Sequence, residues 1–311
     1  MRRRLDAELV RRGLARSREH AAELVGTGRV TVGGRRADKP ATQVETAAAL
    51  VVTDPDPSDR WVGRGAGKLD GALDALAARG LAPQVQGRVC LDAGASTGGF
   101  TQMLLARGAR LVHAVDVGYG QLAWPLRTDD RVLVRERTNV RDLGAGSLDP
   151  APGLVVADLS FISLGLVLPA LVATAAPDAE LLLMVKPQFE VGRHKVGTGG
   201  VVRDPALRAD AVVSVVEVAH GLGRRLVAAT ASPLPGPSGN VEYFVLLAPG
   251  EPGPREQVRD EVARAVADGP EGAVPEAPES PAPTPSPVPA PTPVPDRGAG
   301  AGPDVPEEIL R

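Results

Sequence analysis

A carboxylate followed by a glycine-rich turn stands where an apolar run gives way to a helix-like segment. The run Val89 to Leu91 ends in Asp92, the turn spans Gly94 to Gly99, and apolar residues at helical spacing resume at Phe100. Glycines let a backbone approach a ligand closely, but a dinucleotide fold would need G-x-G-x-x-G, whereas the order here is G-x-x-x-G-G behind an acid. The pattern favours a ligand with a cationic amino-acid end and a ribose, which S-adenosylmethionine has. A structural elbow that binds nothing is the alternative.

Short apolar runs alternate with helical segments from this point onward, which predicts an α/β fold with a doubly wound, mostly parallel sheet. The final run follows a loop rather than a helix, so we expect that strand to be antiparallel to the rest. The predicted strands are Val89–Leu91, Leu111–Val115, Val132–Val134, Leu154–Ala157, Leu181–Val185, Leu226–Thr230 and Tyr243–Leu247.

Polar residues follow these runs, at the sheet edge where ligands bind in such folds. Asp116 stands where an acid accepts ribose hydroxyls, and Asn139 stands where it reaches an adenine edge. Glu242 begins the antiparallel strand and therefore falls on the same edge as Asp158 and Lys186. One carboxylate at a strand end is usually a turn former, but a set of them favours a site. The predicted cofactor-binding residues are Asp92, Gly94, Ala95, Ser96, Thr97, Gly98, Gly99, Phe100, Asp116, Val117, Asn139, Val140 and Asp158.

Two lysines and two acids have the chemistry that methyl transfer to a hydroxyl requires. Such a transfer is an in-line displacement, so the acceptor must be positioned and its proton removed. Lys186 emerges from an apolar run and is expected to act as a base or to stabilise an oxyanion. Asp158 and Glu242 would orient it, while Lys68 would hold the acceptor oxygen or a neighbouring phosphate.

Missing motifs narrow the acceptor to a ribose hydroxyl. Amino-group methylation of bases usually uses an N/D-P-P-aromatic motif after the fourth strand, where this chain has ADLSFIS. Cytosine C5 methylation needs a cysteine nucleophile, and Cys90 lies on the wrong element. A metal-dependent transfer would need a carboxylate cluster, whereas half of the candidate set is lysine, so no metal is predicted.

The 311-residue chain has a basic head and an acidic tail behind its net charge of -3. Residues 1–40 hold 11 basic and 5 acidic side chains, whereas residues 251–311 hold 5 basic and 12 acidic ones. The head contains no aromatic residue, which excludes a stacking platform for single-stranded RNA. Recognition of phosphates and helical RNA shape by arginine remains, with a merely solvated basic face as the alternative.

The head resembles the S4 RNA-binding domain in the pattern RLDAELVRRGLARSREHAAELVGTGRVTVGG. A later glycine-rich loop, between Glu190 and Asp204, is predicted to be a mobile substrate flap, with simple surface looping as the alternative. The residues predicted to contact RNA are Arg4, Arg11, Arg12, Arg16, Arg18, Arg35 and Lys39 of the head, and Arg193 and Lys195 of the flap.

Eight segments in family order resemble the TlyA family of rRNA 2'-O-methyltransferases, in which an S4 domain precedes an FtsJ-like, Rossmann-like class I methyltransferase domain. They are RGAGKL, LDAGASTGGFT, DVGYGQL, RERTNVRD, ADLSFISL, LLLMVKPQFE, VGTGGVVRD and SPLPGPSGNVEYF. The resemblance implies S-adenosylmethionine as cofactor, cytidine ribose in 16S or 23S rRNA of the ribosomal subunits as substrate, and a catalytic tetrad of Lys68, Asp158, Lys186 and Glu242. Gly63, Ala66 and Gln102 differ from the residue types expected in the family at these positions, which affects loop details and not the tetrad.

The expected organisation is an S4-like domain over residues 1–52, a linker over 53–60, the methyltransferase domain over 61–250 and a disordered Pro/Ala/Glu-rich tail over 251–311. A single cysteine, no secretory signal and no apolar span favour the cytoplasm and no membrane. Two other classes remain open, namely a ribosome-assembly RNA-binding factor with a vestigial methyltransferase domain, and a membrane-lytic haemolysin.

Overall fold

A small apolar core holds the amino-terminal helices and strands together. The computed structural model describes residues 2–26, 28–53, 61–192 and 196–270, so most of the predicted linker, the flap residues 193–195 and residues 271–311 lie outside the described residues. Leu5, Leu9 and Leu24 are almost fully buried against Val30. The elements are α1 (Leu5–Arg11), α2 (Arg18–Gly26), β1 (Arg2–Arg4), β2 (Val30–Val32), β3 (Arg35–Arg36), β4 (Gln43–Glu45) and β5 (Leu50–Val52).

The second part of the described chain is organised around one seven-stranded sheet, in the order β11-β12-β10-β9-β6-β7-β8. Five strands are parallel, and β12 runs antiparallel to both β10 and β11, so the predicted α/β sheet and its antiparallel last strand are confirmed. The strands are β6 (Val89–Ala93), β7 (Leu111–Val115), β8 (Val132–Arg135), β9 (Leu154–Ala157), β10 (Glu180–Val185), β11 (Arg224–Ala231) and β12 (Tyr243–Pro249).

Helices cover both faces of this sheet, because the side chains of each strand alternate between two apolar cores. In β10, Leu181 and Leu183 enter the core formed with α6, α8 and α9, whereas Leu182 and Met184 enter the core formed with α3, α4 and α5. The helices are α3 (Arg64–Ala78), α4 (Gly99–Ala106), α5 (Trp124–Arg127), α6 (Leu164–Thr174), α7 (Pro187–Glu190), α8 (Pro205–Gly221) and α9 (Arg255–Ala267).

Helix α9 corrects the predicted start of the disordered tail at residue 251. Val258, Val262 and Ala265 recur at helical spacing, are buried, and pack on the sheet face that carries α6 and α8. This short apolar stripe is hard to recognise in the sequence because the Pro-rich stretch that follows dominates the composition of residues 251–311.

Side chains of α9 also pair with the backbone of β11, which is an edge strand of the sheet. Glu261 Oε1 accepts a hydrogen bond of 2.7 Å from Ala229 N, and Arg264 donates one of 2.6 Å to Ala229 O. Arg79, the residue directly after α3, contacts both Ala229 O and Glu261. Burial opposes the charged form of Glu261, but the hydrogen bonds from Arg264, Arg79 and Ala229 outweigh it and lower its pKa to about 2.

We expect the substitution Glu261→Ala to reduce the free energy of unfolding by about 1–3 kcal/mol, because Ala229 N and two guanidinium groups lose their partner. The folded pKa of about 2 lies below the usual 4.5, so this contribution is present above pH 4.5 and is lost as the pH falls towards 2. Urea denaturation at pH 7 and pH 3 measures both effects. Glu256→Ala, on the exposed first turn of α9, is the control, and equal unfolding of the two variants would contradict the assigned contacts.

Candidate active site and basic surface

Two buried ion pairs lie at the carboxyl edge of the central sheet. Strands β9 and β10 are parallel and end there, whereas β12 is antiparallel and begins there, with Tyr243 paired to Val185. The residues next to these strand ends, together with one residue from α3, form the pairs. They are the four predicted catalytic residues Lys68, Asp158, Lys186 and Glu242.

The first pair joins Lys68 Nζ to Glu242 Oε2 at 2.5 Å, and the two side chains are 7% and 1% exposed. Helix α3 comes close enough for this contact because Gly71 faces Pro233, where an added Cβ would lie 2.5 Å from the proline ring. Glu242 Oε1 is buried without a hydrogen-bond partner among the described residues. The second carboxylate oxygen is therefore available for a further proton donor.

The second pair joins Lys186 Nζ to Asp158 Oδ1 at 2.6 Å. The amine also donates a hydrogen bond of 2.8 Å to Ser160 Oγ. The lysine side chain is 9% exposed, since it leaves the buried strand β10, whereas the Asp158 side chain is 22% exposed. The amine is thus fixed by two acceptors and shielded from bulk water. A group of this kind can withdraw a proton or stabilise a developing oxyanion.

A cavity of about 450 Å³ opens beside Asp158 and runs along the ends of β6, β7 and β8. Seven of the predicted cofactor-binding residues line it, namely Gly94, Ser96, Asp116, Val117, Asn139, Val140 and Asp158. Gly94 has a φ of 88°, and a Cβ at this position would lie 2.6 Å from Asp158 O. Only glycine therefore allows the turn and the end of β9 to meet at the cavity wall.

Asp92, at the end of β6, is fully buried. Burial raises its pKa to about 7, although the hydrogen bond of 2.6 Å that Thr101 Oγ1 donates to Oδ2 acts in the opposite direction. Its other oxygen, Oδ1, has no hydrogen-bond partner among the described residues. A buried acceptor without a donor is unfavourable, so this carboxylate is suited to pair with a donor or cation that the described chain does not supply.

Asp116 holds the ends of two loops at the cavity. Its Oδ2 accepts a hydrogen bond of 2.8 Å from Ser96 N, and its Oδ1 accepts one of 2.7 Å from Gly118 N. Each carboxylate oxygen has a second lone pair, so hydroxyl donors can still bind. Asn139 accepts a hydrogen bond from Arg141 N and starts a short 3-10 turn whose Val140 is buried.

The remaining predicted turn residues do not line this cavity. A Cβ at Gly99 would lie 2.8 Å from Ala66 N, so this glycine permits α3 and α4 to pack closely. Gly98, with a φ of 100°, instead leaves room for the side chains of Leu122 and Leu126. Phe100 stacks on Phe244 with ring centroids 6.0 Å apart. Gly98, Gly99 and Phe100 therefore hold the turn in place from behind the cavity, and so do Ala95 and Thr97.

A second cavity, of about 540 Å³, was missed by the sequence analysis. Phe161 and Phe189 face each other across one side of it, with ring centroids 5.4 Å apart, and Phe161 is 92% exposed. Phe161 also lines the first cavity. The sequence feature that could have predicted this cavity is the apolar segment FIS after β9, because turns at this edge of a sheet are usually polar.

The described part of the predicted flap is anchored to the loop before β12. Asn240, which is buried, accepts a hydrogen bond of 2.9 Å from Val202 N and donates one of 2.8 Å to Gly200 O. Arg193 and Lys195 lie outside the described residues. Arg203 contacts Thr198 O within the same loop.

Four of the arginines predicted to bind RNA are held by two buried acids of α1. Asp6 pairs with Arg4 and Arg18, while Glu8 pairs with Arg11 and Arg12. Arg12 also donates hydrogen bonds to Thr46 O and Ala48 O, which makes it a structural residue. Three other predicted residues are exposed and form no ion pair within the described part of the chain. They are Arg16, Arg35 and Lys39.

We expect Glu242→Leu alone to reduce the free energy of unfolding by about 3–5 kcal/mol, because it leaves the Lys68 ammonium buried without its partner. The double variant Lys68→Met with Glu242→Leu should regain most of that stability, since it removes both charges and fills the same space. Urea denaturation of the native protein and both variants measures the difference. A double variant no more stable than the single one would show that the pair carries no desolvation penalty.

Two family models match the chain over nearly all of its first 248 residues. An S4 domain matches residues 3–49, and an FtsJ-like methyltransferase matches residues 61–248. Among solved structures, one from Streptococcus thermophilus has a TM-score of 0.63 and 34% identity, covering 86% of this chain and 96% of that one. Within the described residues, no helix has the length and apolar character to cross a membrane, and no cluster of potential metal ligands is found.

Relatives with assigned names match over most of their own length. The 16S/23S rRNA (cytidine-2'-O)-methyltransferase TlyA of Mycobacterium tuberculosis is 57% identical over 270 residues, which cover 86% of this chain and 98% of the relative. Hemolysin A of Brachyspira hyodysenteriae is 34% identical, covering 78% of this chain and 98% of the relative. The chain therefore belongs to the TlyA family of FtsJ-like methyltransferases, in which an S4 domain precedes the methyltransferase domain.

Proposed function

We propose that the protein uses S-adenosylmethionine to methylate the ribose 2'-hydroxyl of cytidine in 16S or 23S ribosomal RNA. The observation that carries this proposal is the position of Asp158, which lines the 450 Å³ cavity and also holds the Lys186 amine. A methyl donor bound in that cavity would therefore lie next to the carboxylate that holds the proposed proton acceptor. The name of the Mycobacterium tuberculosis relative supports the choice of nucleotide and RNA.

The lining of the first cavity fits S-adenosylmethionine. Gly94 lines the cavity at the turn, and Asp92, two residues earlier, is fully buried with an unpaired Oδ1 that suits an ammonium group. Asp116 offers acceptors for ribose hydroxyls, while Asn139 and Val140 offer a polar edge and an apolar surface for a base. When bound, the cofactor would supply an electrophilic methyl group on a sulfonium.

The two ion pairs divide the remaining work. A ribose 2'-hydroxyl is a very weak acid, so its proton must be taken up, or the oxyanion stabilised, as the new C–O bond forms. Lys186 takes up the proton if its amine is neutral, and stabilises the oxyanion if it is an ammonium. Asp158 and Ser160 hold the amine in place. Lys68, fixed by Glu242, holds the acceptor oxygen or its neighbouring phosphate.

The second cavity fits the base of the acceptor nucleotide. Enzymes that act on a nucleotide within folded RNA extract it from the stack and bind its base between aromatic or apolar side chains. Phe161 and Phe189 provide such a surface, and α7, which carries Phe189, begins directly after Lys186. The hydroxyl of the same nucleotide would then lie close to the lysine amine.

The amino-terminal module is proposed to hold the RNA. Arg16, Arg35 and Lys39 are exposed and lack intramolecular ion pairs among the described residues, so binding a phosphate costs them no existing partner. Arg4, Arg11 and Arg18 are partly exposed, and the buried acids fix their orientation. This pre-orientation reduces the side-chain entropy that binding removes.

Transfer of a tritiated methyl group into ribosomal subunits from a strain lacking the enzyme tests the function. We expect Lys186→Met to abolish transfer while calorimetry shows that S-adenosylmethionine still binds, since this side chain acts on the hydroxyl and not on the cofactor. Lys186→Arg separates the two roles, because a guanidinium stabilises an oxyanion but does not accept a proton at neutral pH. Undiminished transfer by Lys186→Met would exclude the proposed role, and cofactor binding without any transfer by the native protein would favour an RNA-binding factor.

RNA affinity of the native protein is expected to fall steeply as salt is added. The double variant Arg35→Ala with Lys39→Ala should reduce the slope of log K against log salt by about 0.7–0.9 for each phosphate that is no longer neutralised. Filter binding to 16S and 23S rRNA between 50 and 200 mM salt, about the range over which such phosphate pairing is most visible, measures the slope. Arg12→Ala is the comparison, because it should lower thermal stability with a smaller change in slope. An unchanged slope in the double variant would contradict the proposed surface.

A further inference from the structure

The second cavity contains one amide side chain whose hydrogen-bonding capacity is unused. Gln188 lies two residues after Lys186, on α7, and lines the cavity next to Phe189. Its Oε1 is buried and has no hydrogen-bond partner in the described part of the chain. A buried acceptor without a donor is destabilising. Because the side chain lines the cavity and the terminal torsion of a glutamine is soft, a turn of the amide would present Oε1 to a donor on a ligand there.

Contacts behind the cavity hold Gln188 in place. Helix α7 ends at Glu190, whose Oε2 accepts a hydrogen bond of 2.6 Å from Ser163 Oγ and whose Oε1 accepts one of 2.8 Å from Leu164 N. These bonds join α7 to the start of α6. Ile162 and Ser163, directly before α6, form the opposite part of the cavity lining. The amide therefore has a fixed backbone, and the cavity has two walls of defined separation.

We propose that Gln188 is a specificity-determining residue, whose Oε1 accepts a hydrogen bond from the exocyclic amino group of the acceptor cytosine. This inference rests on the proposed function. A base stacked on Phe161 presents its Watson–Crick edge to a side wall of the cavity, and cytosine carries an N4 amino donor on that edge. Uracil carries a carbonyl oxygen at the same place and would put two acceptors face to face.

The nucleotide methylated by the native protein is mapped first, and ribosomal subunits are then prepared from a strain lacking the enzyme, with either cytidine or uridine at that position. We expect the native protein to prefer cytidine by about tenfold or more in kcat/KM, the size of effect that one base-edge contact gives. Gln188→Met keeps the length of the side chain without its polar atoms. It should lower kcat/KM on cytidine subunits by about tenfold and raise the value on uridine subunits, because the acceptor that faces the uracil carbonyl is removed.

Two further variants separate specificity from folding. Gln188→Glu keeps an acceptor at the same place and should keep the preference for cytidine, whereas Gln84→Met, the same replacement on an exposed loop, should behave as the native protein. Melting temperature and S-adenosylmethionine affinity are measured on each variant. Equal use of cytidine and uridine by the native protein, or an unchanged preference in Gln188→Met, would overturn the inference. A native protein that methylates neither RNA would instead overturn the proposed function.

Discussion

The structure depends on the burial of two lysine–carboxylate pairs at one edge of a sheet that is otherwise apolar. Lys68, Lys186 and Glu242 are buried, and Asp158 is partly so. Removing such charges from water is unfavourable unless each ion is closely paired, and contacts of 2.5 and 2.6 Å provide that pairing. The surrounding backbone is arranged to permit them. Glycine at position 71 admits Pro233 against α3, and the antiparallel β12 places Glu242 beside the end of β10. Apolar side chains of similar volume are often neutral or stabilising in place of a buried ion pair, so it is the proposed function, rather than stability, that accounts for these groups.

Buried acids also pair with basic side chains in the amino-terminal module, but there the basic partners stay partly exposed. There, Asp6 and Glu8 are buried while the arginines that pair with them remain partly exposed, so the acids act as internal anchors for an outward-facing cationic surface. The pKa of Asp6 is lowered well below its usual range, chiefly by the hydrogen bond from Arg4, and that of Glu8 is lowered to about 2, chiefly by Arg11. Both acids therefore stay ionised at neutral pH. A surface fixed in this way differs from a set of flexible lysines, of which this chain has only four.

Much of the fold was predictable because strand and helix periodicities are local properties. The apolar runs identified every strand of the central sheet, and the loop before Tyr243 indicated the reversed last strand. The candidate site was predictable in its residue types, since strand ends of parallel sheets converge. What the sequence could not show depends on contacts between distant segments. The division of the arginines into paired and unpaired ones requires knowing that Asp6 is buried, and the aromatic pair requires α6 and α7 to meet. Helix α9 was missed because three apolar residues at helical spacing are a weak signal beside so many prolines.

Helix α9 also limits how far the chain could be truncated without uncovering the edge strand β11. Without this helix, Ala229 N and O at the outer edge of β11 would lose the partners that Glu261 and Arg264 provide. Such an edge is a template for pairing with another chain, and natural proteins cover or charge it to avoid intermolecular association. A chain cut at the end of the family match, near residue 248, would keep every residue of the two ion pairs and both cavities. It would nevertheless uncover this part of the β11 edge, so the shortest chain that holds the proposed site is shorter than the shortest chain with a protected sheet edge.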